Sequence, residues 1–323
     1  MSPSELAAAI RAGNRSALAR GITLVESRRA ADAEAAAELL QTLLPHTGTS
    51  CRIGITGAPG VGKSTLIEAL GLRLCALGRR VAVLAVDPSS AITGGSILGD
   101  KTRMQELSRH ASAFIRPSPG GGTLGGVALH TREAMLLCVA AGFDTVLVET
   151  IGTGQSEVTV HGMVDLFLVL LSPAAGDELQ GIKRGVMELA DLVLVHKADG
   201  DLAAAADRAA QQCMLAMRVL HSGCAEPPPV LVGSSVTGRG LDELWQAIER
   251  HRTNAQTSGE LQTRRGRQAG EWLEHAVRES LLTDFLDDPS TAAAMAKARE
   301  DVASGSVLPT VAARRLLLLR AHR

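Results

Sequence analysis

One glycine-rich segment constrains the fold of this chain more than any other stretch of its sequence. The segment 57–65, GAPGVGKST, matches G-x-x-x-x-G-K-[ST] and follows an apolar run that is typical of a strand. Glycines let successive backbone N–H groups curl around phosphate oxygens, and a helix that starts here points its positive end at them. The segment therefore predicts a phosphate loop between a strand and a helix. Its candidate phosphate-binding residues are Gly57, Ala58, Pro59, Gly60, Val61, Gly62, Lys63, Ser64 and Thr65.

Apolar runs and helical stretches alternate between residues 50 and 252. The runs carry Val, Leu and Ile at consecutive positions, as strands buried on both faces of a parallel sheet do. The runs predicted as strands are Arg52–Thr56, Arg80–Asp87, Thr145–Thr150, Leu166–Ser172, Leu192–His196 and Pro229–Ser235. The predicted helices between them are Lys63–Leu77, Thr131–Ala141, Gly181–Leu189, Leu202–His221 and Leu241–His251. This alternation predicts an α/β fold, a doubly wound, mostly parallel sheet.

The two ends of the chain have helical patterns and no strand pattern. Residues 1–48 are rich in Ala, and their apolar positions predict two or three helices. Residues 253–323 carry more apolar surface than an isolated arm can bury, so they either pack on their own domain or dock on another subunit. We expect an N-terminal helical segment at 1–48, a nucleotide-binding α/β domain at 49–252 and a C-terminal helical arm at 253–323.

Composition excludes several kinds of partner. With 33 basic and 34 acidic residues, the chain has no general attraction to nucleic acid or to an anionic membrane. Aromatic residues make up 2% with no Tyr, which leaves few side chains for base stacking. The apolar runs are far shorter than the roughly 18 residues of a membrane span, and no C-x-x-C pair occurs. We expect a cytoplasmic protein that binds neither nucleic acid nor membrane.

Three carboxylates stand where a nucleotide-binding sheet places its ligands, at or beyond the ends of predicted strands. Asp87 ends the second strand, Asp100 lies in a glycine-rich segment, and Glu149 lies at the end of the third strand. Together with Ser64, such carboxylates can hold Mg²⁺ or its water ligands. The backbone N–H of Gly152, just beyond Glu149, is a candidate contact for a γ-phosphate.

A four-residue segment after the fifth predicted strand indicates which base is bound. The segment 196–199, HKAD, takes the place of the Asn-Lys-x-Asp of GTP-binding proteins, whose Asp accepts from guanine N1–H and the 2-amino group. Adenine lacks that pair of donors and would leave a buried carboxylate unsatisfied. His196 departs from the pattern, although its imidazole can still donate to a ring nitrogen. The candidate guanine contacts are His196, Lys197, Asp199, Ser234, Ser235 and Val236.

Longer strings extend the similarity over nearly the whole chain. The chain resembles the MeaB family of G-proteins, the methylmalonyl-CoA mutase-associated GTPases, which belong to the wider class of signal-recognition and metallochaperone GTPases. Besides the phosphate loop, the resemblance rests on strings that are much more specific than that loop. They are ALARGITLVESRR (17–29), VDPSS (86–90), TGGSILGDKTRM (93–104), TREAMLL (131–137), VETIGTGQSE (148–157), GDELQGIKRGVMEL (176–189) and GRGLDELWQAI (238–248).

The resemblance implies a GTP-hydrolysing chaperone of an adenosylcobalamin-dependent acyl-CoA mutase. The methylmalonyl-CoA, isobutyryl-CoA and 2-hydroxyisobutyryl-CoA mutases are all possible clients. Such chaperones gate cofactor loading and protect or reactivate the mutase. The resemblance also implies switch segments around Asp87–Asp100 and Glu149–Glu157, and a third switch in which Gln180 and Lys183 are the polar residues. It further implies a homodimer to which the C-terminal helices contribute.

The expected reaction is hydrolysis of GTP to GDP and phosphate. Lys63, Ser64 and Mg²⁺ would neutralise charge on the transferring phosphoryl group. No Arg is obviously placed to supply further charge, so we expect slow hydrolysis that a partner accelerates. The candidates for orienting the attacking water are Asp87, Asp100, Glu149 and Gln155.

The sequence leaves two other functions open. One is a P-loop small-molecule kinase of the kind described for arginine and ornithine transport, which would transfer phosphate to a substrate instead of water. The other is a metallochaperone GTPase, although the 9 His residues form no His-rich tract.

Overall fold

The computed structural model describes most of the chain as two compact units, residues 1–268 and residues 269–323. The described residues are 1–27, 29–48, 50–86, 104–117, 124–150, 156–173, 184–223 and 226–321. Several predicted site residues lie outside these ranges, and what the sequence predicts for them stays a prediction. They are Asp87, Asp100, Gly152, Gln155, Gln180 and Lys183.

A parallel sheet forms the centre of the first unit. Its strands are β1 (Cys51–Gly57), β2 (Val81–Val86), β3 (Ala113–Arg116), β4 (Thr145–Thr150), β5 (Leu166–Leu171), β6 (Leu192–Val195) and β7 (Val230–Val232). The spatial order of the seven strands is β3-β2-β4-β1-β5-β6-β7, and every pair of neighbours is parallel. The doubly wound α/β fold expected from the sequence is confirmed.

Helices connect the strands and extend the chain at both ends. They are α1 (Pro3–Arg11), α2 (Arg15–Val25), α3 (Ala30–Leu43), α4 (Lys63–Ala76), α5 (Gln105–Arg109), α6 (Leu124–Ala140), α7 (Ser156–His161), α8 (Arg184–Glu188), α9 (Ala203–Leu220), α10 (Leu241–Thr257), α11 (Glu260–Asp287), α12 (Pro289–Ala303) and α13 (Pro309–Ala321). Within the described part of the chain, no helix combines the length and the apolar character needed to cross a bilayer.

The core lies on both faces of the sheet. Every residue of β2, β4 and β5 is buried, which explains their continuous apolar runs. Helix α4 covers one face with Leu66, Leu70 and Leu74, which recur at helical spacing and are fully buried. Each such side chain contributes about 1.5–3 kcal/mol by leaving water. This core holds the ends of the strands in place.

The three N-terminal helices belong to the first unit and pack against one another and against α6. Ser2 and Glu5 form a capping box at the start of α1, and the Asn14 side chain caps α2 by accepting from the Ala17 N–H. Helix α2 packs against α3 and α6, with Leu18 and Ile22 fully buried. The expected helices in residues 1–48 are therefore present.

Three elements differ from the sequence prediction. Strand β3 was missed because its four residues are fewer than a clear apolar run needs and pair only with β2 at the sheet edge. Helix α6 begins at Leu124. The sequence predicted a start at Thr131, because the adjacent glycines at 125 and 126 are typical of a loop. Helix α10 continues to Thr257, so the predicted boundary at 252/253 lies inside a helix.

Three aspartates fasten the amino ends of the strands, which we call the amino edge of the sheet. Asp144, Asp165 and Asp191 directly precede β4, β5 and β6. Each carboxylate accepts a backbone N–H from the start of a strand next to its own, which adds a side-chain link to the main-chain ladder. The donors are, in the same order, Arg80, Arg52 and Phe167, at 2.8, 3.0 and 2.8 Å.

Two consecutive arginines of α11 reinforce this edge. Arg265 donates to both oxygens of Asp165, at 2.8 and 2.7 Å, and Arg264 donates to both oxygens of Asp191, at 3.1 and 2.9 Å. Arg52 is also buried here, and burial lowers the pKa of its guanidinium to about 10. Bidentate pairs of this kind fix geometry as well as charge.

Candidate nucleotide-binding site

The phosphate loop leaves the sheet at its centre. Strand β1 lies between β4 and β5 and ends at Gly57, and α4 begins at Lys63. The loop thus lies at the carboxyl ends of the parallel strands, where open α/β sheets bind ligands. We call this side the carboxyl edge.

Two glycines of the loop have no room for a side chain. A Cβ at Gly57 would lie 2.6 Å from the Leu170 carbonyl oxygen. Gly62 has a φ of +100°, and a Cβ there would lie 2.7 Å from Nδ1 of His196. The glycine pattern is therefore required by close packing against β5 and against the 196–199 segment.

Lys63 is buried at the first position of α4. Its Nζ donates to the carbonyl oxygens of Gly57, at 2.8 Å, and Ala58, at 3.1 Å. The ammonium therefore lies on the loop itself, in the region where the sequence predicts phosphate oxygens.

Ser64 and Glu149 are brought together from neighbouring elements. The Ser64 hydroxyl donates to Oε1 of Glu149 at 2.8 Å, and Glu149 is buried near the end of β4. Beside them, the Thr150 hydroxyl donates to that of Thr56 at 2.8 Å and links the ends of β4 and β1. A hydroxyl and a carboxylate are hard oxygen ligands, so this donor set fits Mg²⁺.

His196 joins two loops of the carboxyl edge. Its buried imidazole lies 2.9 Å from the Val61 carbonyl oxygen through Nδ1 and 2.7 Å from the Ser235 hydroxyl through Nε2. A carbonyl only accepts, so Nδ1 carries the proton and the Ser235 hydroxyl donates to Nε2 of the neutral ring. Burial lowers the pKa of His196, and the field of Lys197 adds to this, which favours the neutral form.

Lys197 makes a second contact between the same two segments. It has a φ of +59° and is the one non-glycine residue with positive φ in the described part of the chain. Its Nζ donates to the Gly60 carbonyl oxygen at 2.7 Å. Two successive residues of the 196–199 segment thus hold two successive carbonyls of the phosphate loop.

The carboxylate of Asp199 is held by Ser234. The Ser234 hydroxyl donates to Asp199 and accepts from the backbone N–H groups of Val236, at 3.1 Å, and Thr237, at 3.3 Å. Ser234 is fully buried, whereas Asp199 is only partly so. A carboxylate fixed in this way is suited to accept the paired donors of guanine.

The predicted site residues that the structure describes thus lie together at the carboxyl edge. One predicted contact differs from the contact that is observed. The sequence suggests that His196 donates to a ring nitrogen of the base, whereas in the structure both of its nitrogens have protein partners. Sequence reasoning missed the Thr56–Thr150 pair, for which no motif gives a signal.

A separate cleft of the first unit lies away from these residues. It measures about 760 Å³ and opens at the amino edge beside Asp191, His221 and Arg264. None of the predicted site residues lines it. Among the described residues, there is no group of three or more His, Cys, Asp or Glu side chains that could hold a metal ion.

The chain is similar over most of its length to several known proteins. The family model described as Methylmalonyl Co-A mutase-associated GTPase MeaB matches residues 18–290. A putative GTPase of Caulobacter vibrioides is 55% identical over 95% of this chain and 94% of its own length. The mitochondrial methylmalonic aciduria type A homolog of Mus musculus is 45% identical over 96% of this chain and 77% of its own. The crystal structure of an LAO/AO transport system kinase is similar with a TM-score of 0.75 and 37% identity, and covers 98% of this chain and 97% of its own.

Proposed function

The chain belongs to the methylmalonyl-CoA mutase-associated GTPase family MeaB and is a GTPase, and we propose that it is a chaperone of an adenosylcobalamin-dependent acyl-CoA mutase. GTP binding and hydrolysis would gate loading of the cofactor into the mutase and would protect or reactivate it. The observation that carries this proposal is the family match over residues 18–290, which spans the phosphate loop and the whole sheet. The name of the mouse relative supports a client in methylmalonyl metabolism.

Lys63, Ser64 and Glu149 would hold the phosphate end of the nucleotide. Lys63 already lies on the phosphate loop, and its ammonium would contact β- and γ-phosphate oxygens. Ser64 and Glu149 would hold Mg²⁺, which neutralises charge on the transferring phosphoryl group when it is bound. We retain Asp87 and Asp100 as further candidates for this ion.

Asp199 would select guanine. Its carboxylate is held by the Ser234 hydroxyl, and it would accept from guanine N1–H and the 2-amino group. The backbone N–H groups at 234–236 would contact O6. Adenine offers a lone pair at N1, which faces the carboxylate unfavourably.

The signalling step would depend on segments that flank the site. The candidates for orienting water are Asp87, Asp100, Glu149 and Gln155, and Gly152 would contact the γ-phosphate. Gln180 and Lys183 would be polar residues of a third switch. A γ-phosphate that orders such segments, and releases them when it is lost, turns hydrolysis into a change of surface that a client can recognise.

The C-terminal helices would form a homodimer. In the second unit, Leu273, Val277 and Leu281 recur every four residues along α11, and each is about half exposed or more. Residues 317–319 of α13, all Leu, are also exposed. Pairing with a second copy would remove this surface from water.

The cytoplasm remains the proposed compartment, since the four described cysteines are unpaired thiols.

Hydrolysis assays with a purified client test the proposal. GTP and ATP turnover are measured with and without an adenosylcobalamin-dependent acyl-CoA mutase, in parallel for the methylmalonyl-CoA, isobutyryl-CoA and 2-hydroxyisobutyryl-CoA enzymes. GTP-selective turnover that rises with one mutase is the expected result. Lys63→Ala, added with the same mutase, controls for contaminating phosphatases.

The alternatives predict different outcomes. Transfer of phosphate from ATP to arginine or ornithine would support a small-molecule kinase. Stoichiometric binding of Ni²⁺, Co²⁺ or Zn²⁺ would support a metallochaperone. GTP turnover that no mutase changes would leave the GTPase intact and overturn the chaperone proposal.

A further inference from the structure

We propose that His196 is a positioning residue that shapes the phosphate loop, and that it makes no contact with the guanine base. The imidazole acts through the Val61–Gly62 peptide, and Ser235 holds the ring in place. This inference concerns nucleotide binding alone and is independent of any client.

The first argument is the direction of one peptide group. Nδ1 of His196 donates to the Val61 carbonyl oxygen at 2.9 Å. In a trans peptide the C=O and the following N–H point in opposite directions, and no described peptide is cis. The Gly62 N–H is therefore directed away from the imidazole. An amide turned in this way can join the loop N–H groups that cradle phosphate.

The second argument is space. The imidazole packs directly against Gly62, since a Cβ there would lie 2.7 Å from Nδ1 and 2.8 Å from Cε1. The ring is only 3% exposed. The ring therefore packs against the last turn of the loop, and this close packing is possible because residue 62 is glycine.

The third argument is that both ring nitrogens are used by the protein. Nε2 accepts from the Ser235 hydroxyl at 2.7 Å, while Nδ1 is occupied by Val61. A neutral imidazole has one donor and one acceptor, so it has no further group for a base nitrogen. The 196–199 segment thus divides its work. His196 and Lys197 hold the loop, and Asp199 is left to recognise guanine.

A ligand change tests this in the unaltered protein. GDP and 7-deaza-GDP, in which a C–H replaces guanine N7, are compared as fluorescent derivatives in equilibrium titrations. Their dissociation constants should agree within about threefold, because the His196 ring has no donor left for N7. A loss of tenfold or more with 7-deaza-GDP would overturn the proposal.

Variants test the contact with the loop. His196→Ala should weaken GDP and 7-deaza-GDP equally, by about 5- to 150-fold, the factor expected for a lost buried hydrogen bond. The Nδ2 of Asn lies close to the place of His Nδ1, whereas the Gln amide lies closer to the place of Nε2. His196→Asn should therefore recover most of the affinity, and His196→Gln should not.

Equal affinities for the Asn and Gln variants would contradict the role of the Val61 contact. Thermal unfolding without nucleotide shows whether each variant is folded. If His196→Ala does not fold, Ser235→Ala and the analogue comparison still decide the matter. Ser235→Ala removes only the contact at Nε2, so its affinity loss should be smaller and equal for the two ligands.

Discussion

The two edges of the sheet are both polar, yet they are built differently. At the amino edge, Asp165 links two strands and pairs with Arg265 in a largely buried arrangement. At the carboxyl edge, Lys63, His196 and Lys197 hold carbonyl oxygens of one glycine-rich loop. At the amino edge, the charged side chains pair with one another. At the carboxyl edge, the side chains hydrogen-bond to a loop, and a ligand could replace some of these hydrogen bonds. The comparison teaches that one edge maintains the fold and the other is available for chemistry.

The largest effect is expected from Asp165→Ala at the amino edge. The change leaves the Arg265 guanidinium without its carboxylate and the backbone N–H of Arg52 without its acceptor, so the free energy of unfolding should fall by about 3–5 kcal/mol. Denaturant titration measures this loss. Asp207→Ala, which breaks an exposed pair with Arg239, should cost about 1 kcal/mol or less.

The folded fraction of Asp165→Ala should bind GDP with unchanged affinity if the edges have separate tasks. A tenfold loss of affinity would show that the amino edge also shapes the site. Equal destabilisation by the Asp207 control would remove the special role of the buried pair.

Lys63→Ala is expected to have the converse effect at the carboxyl edge. Loss of the ammonium removes charge that stabilises the transition state, so kcat for GTP should fall about 100- to 1,000-fold. The free energy of unfolding without nucleotide should change by less than about 1 kcal/mol, because water can replace the ammonium as hydrogen-bond donor to the Gly57 and Ala58 carbonyl oxygens. The exposed Lys297 on α12 offers a matched control that should leave kcat unchanged.

Asp199→Ala should have a smaller effect and should separate base recognition from phosphate binding. Removal of the carboxylate should weaken GDP about 10- to 150-fold and leave ADP binding unchanged. The exposed Asp201, two residues away, provides the Asp→Ala control. A similar loss for both nucleotides would mean that Asp199 supports the loop and does not select the base.

The smallest effect concerns pH. Burial and the field of Lys197 lower the pKa of His196, while the Val61 contact and Asp199 oppose this. The lowered pKa means that the fold favours the neutral ring, whereas the unfolded chain protonates near 6.5. The contribution of His196 to stability is therefore complete above pH 6.5 and is lost as the pH falls below it, by at most about 1.4 kcal/mol per pH unit.

Unfolding titrations between pH 5 and 8 would show this slope as a difference between the parent protein and His196→Asn. The Asn variant has the same background of other titrating groups and lacks only the imidazole. Identical pH profiles would show that the ring is as easily protonated in the fold as in the unfolded chain.

The sequence predicted most of the fold because the core is made of long apolar runs with helices between them. It missed β3 because a short edge strand buries too little to leave a pattern. In the site, strand-end reasoning placed Ser64 near Glu149, since Ser64 follows the loop that leaves β1 and Glu149 lies near the end of the neighbouring strand β4. The direction of the His196 ring could not be deduced, because packing against Val61 and Ser235 decides it.

The amino edge also has a signal in the sequence. An Asp stands directly before each of the apolar runs of β4, β5 and β6, at 144, 165 and 191. An acid repeated at the same position before buried strands indicates a side-chain acceptor for a neighbouring backbone N–H. The arginines of α11 that pair with these acids could not be predicted, because they are distant in sequence. Arg265 and Asp165 are 100 residues apart.

The central place of β1 also has a consequence for biosynthesis. This strand pairs with β4 and β5, which the ribosome makes much later, since β1 ends at residue 57 and β5 at residue 171. At roughly 5–20 residues per second, the wait lasts on the order of 6–20 s. Until β4 and β5 are made, the strand that carries the phosphate loop lacks these neighbours, and the N–H and C=O groups along its edges are open to other nascent chains. The nucleotide site is thus encoded early but completed late, so chaperones that shield nascent strands would influence how much active protein a cell obtains.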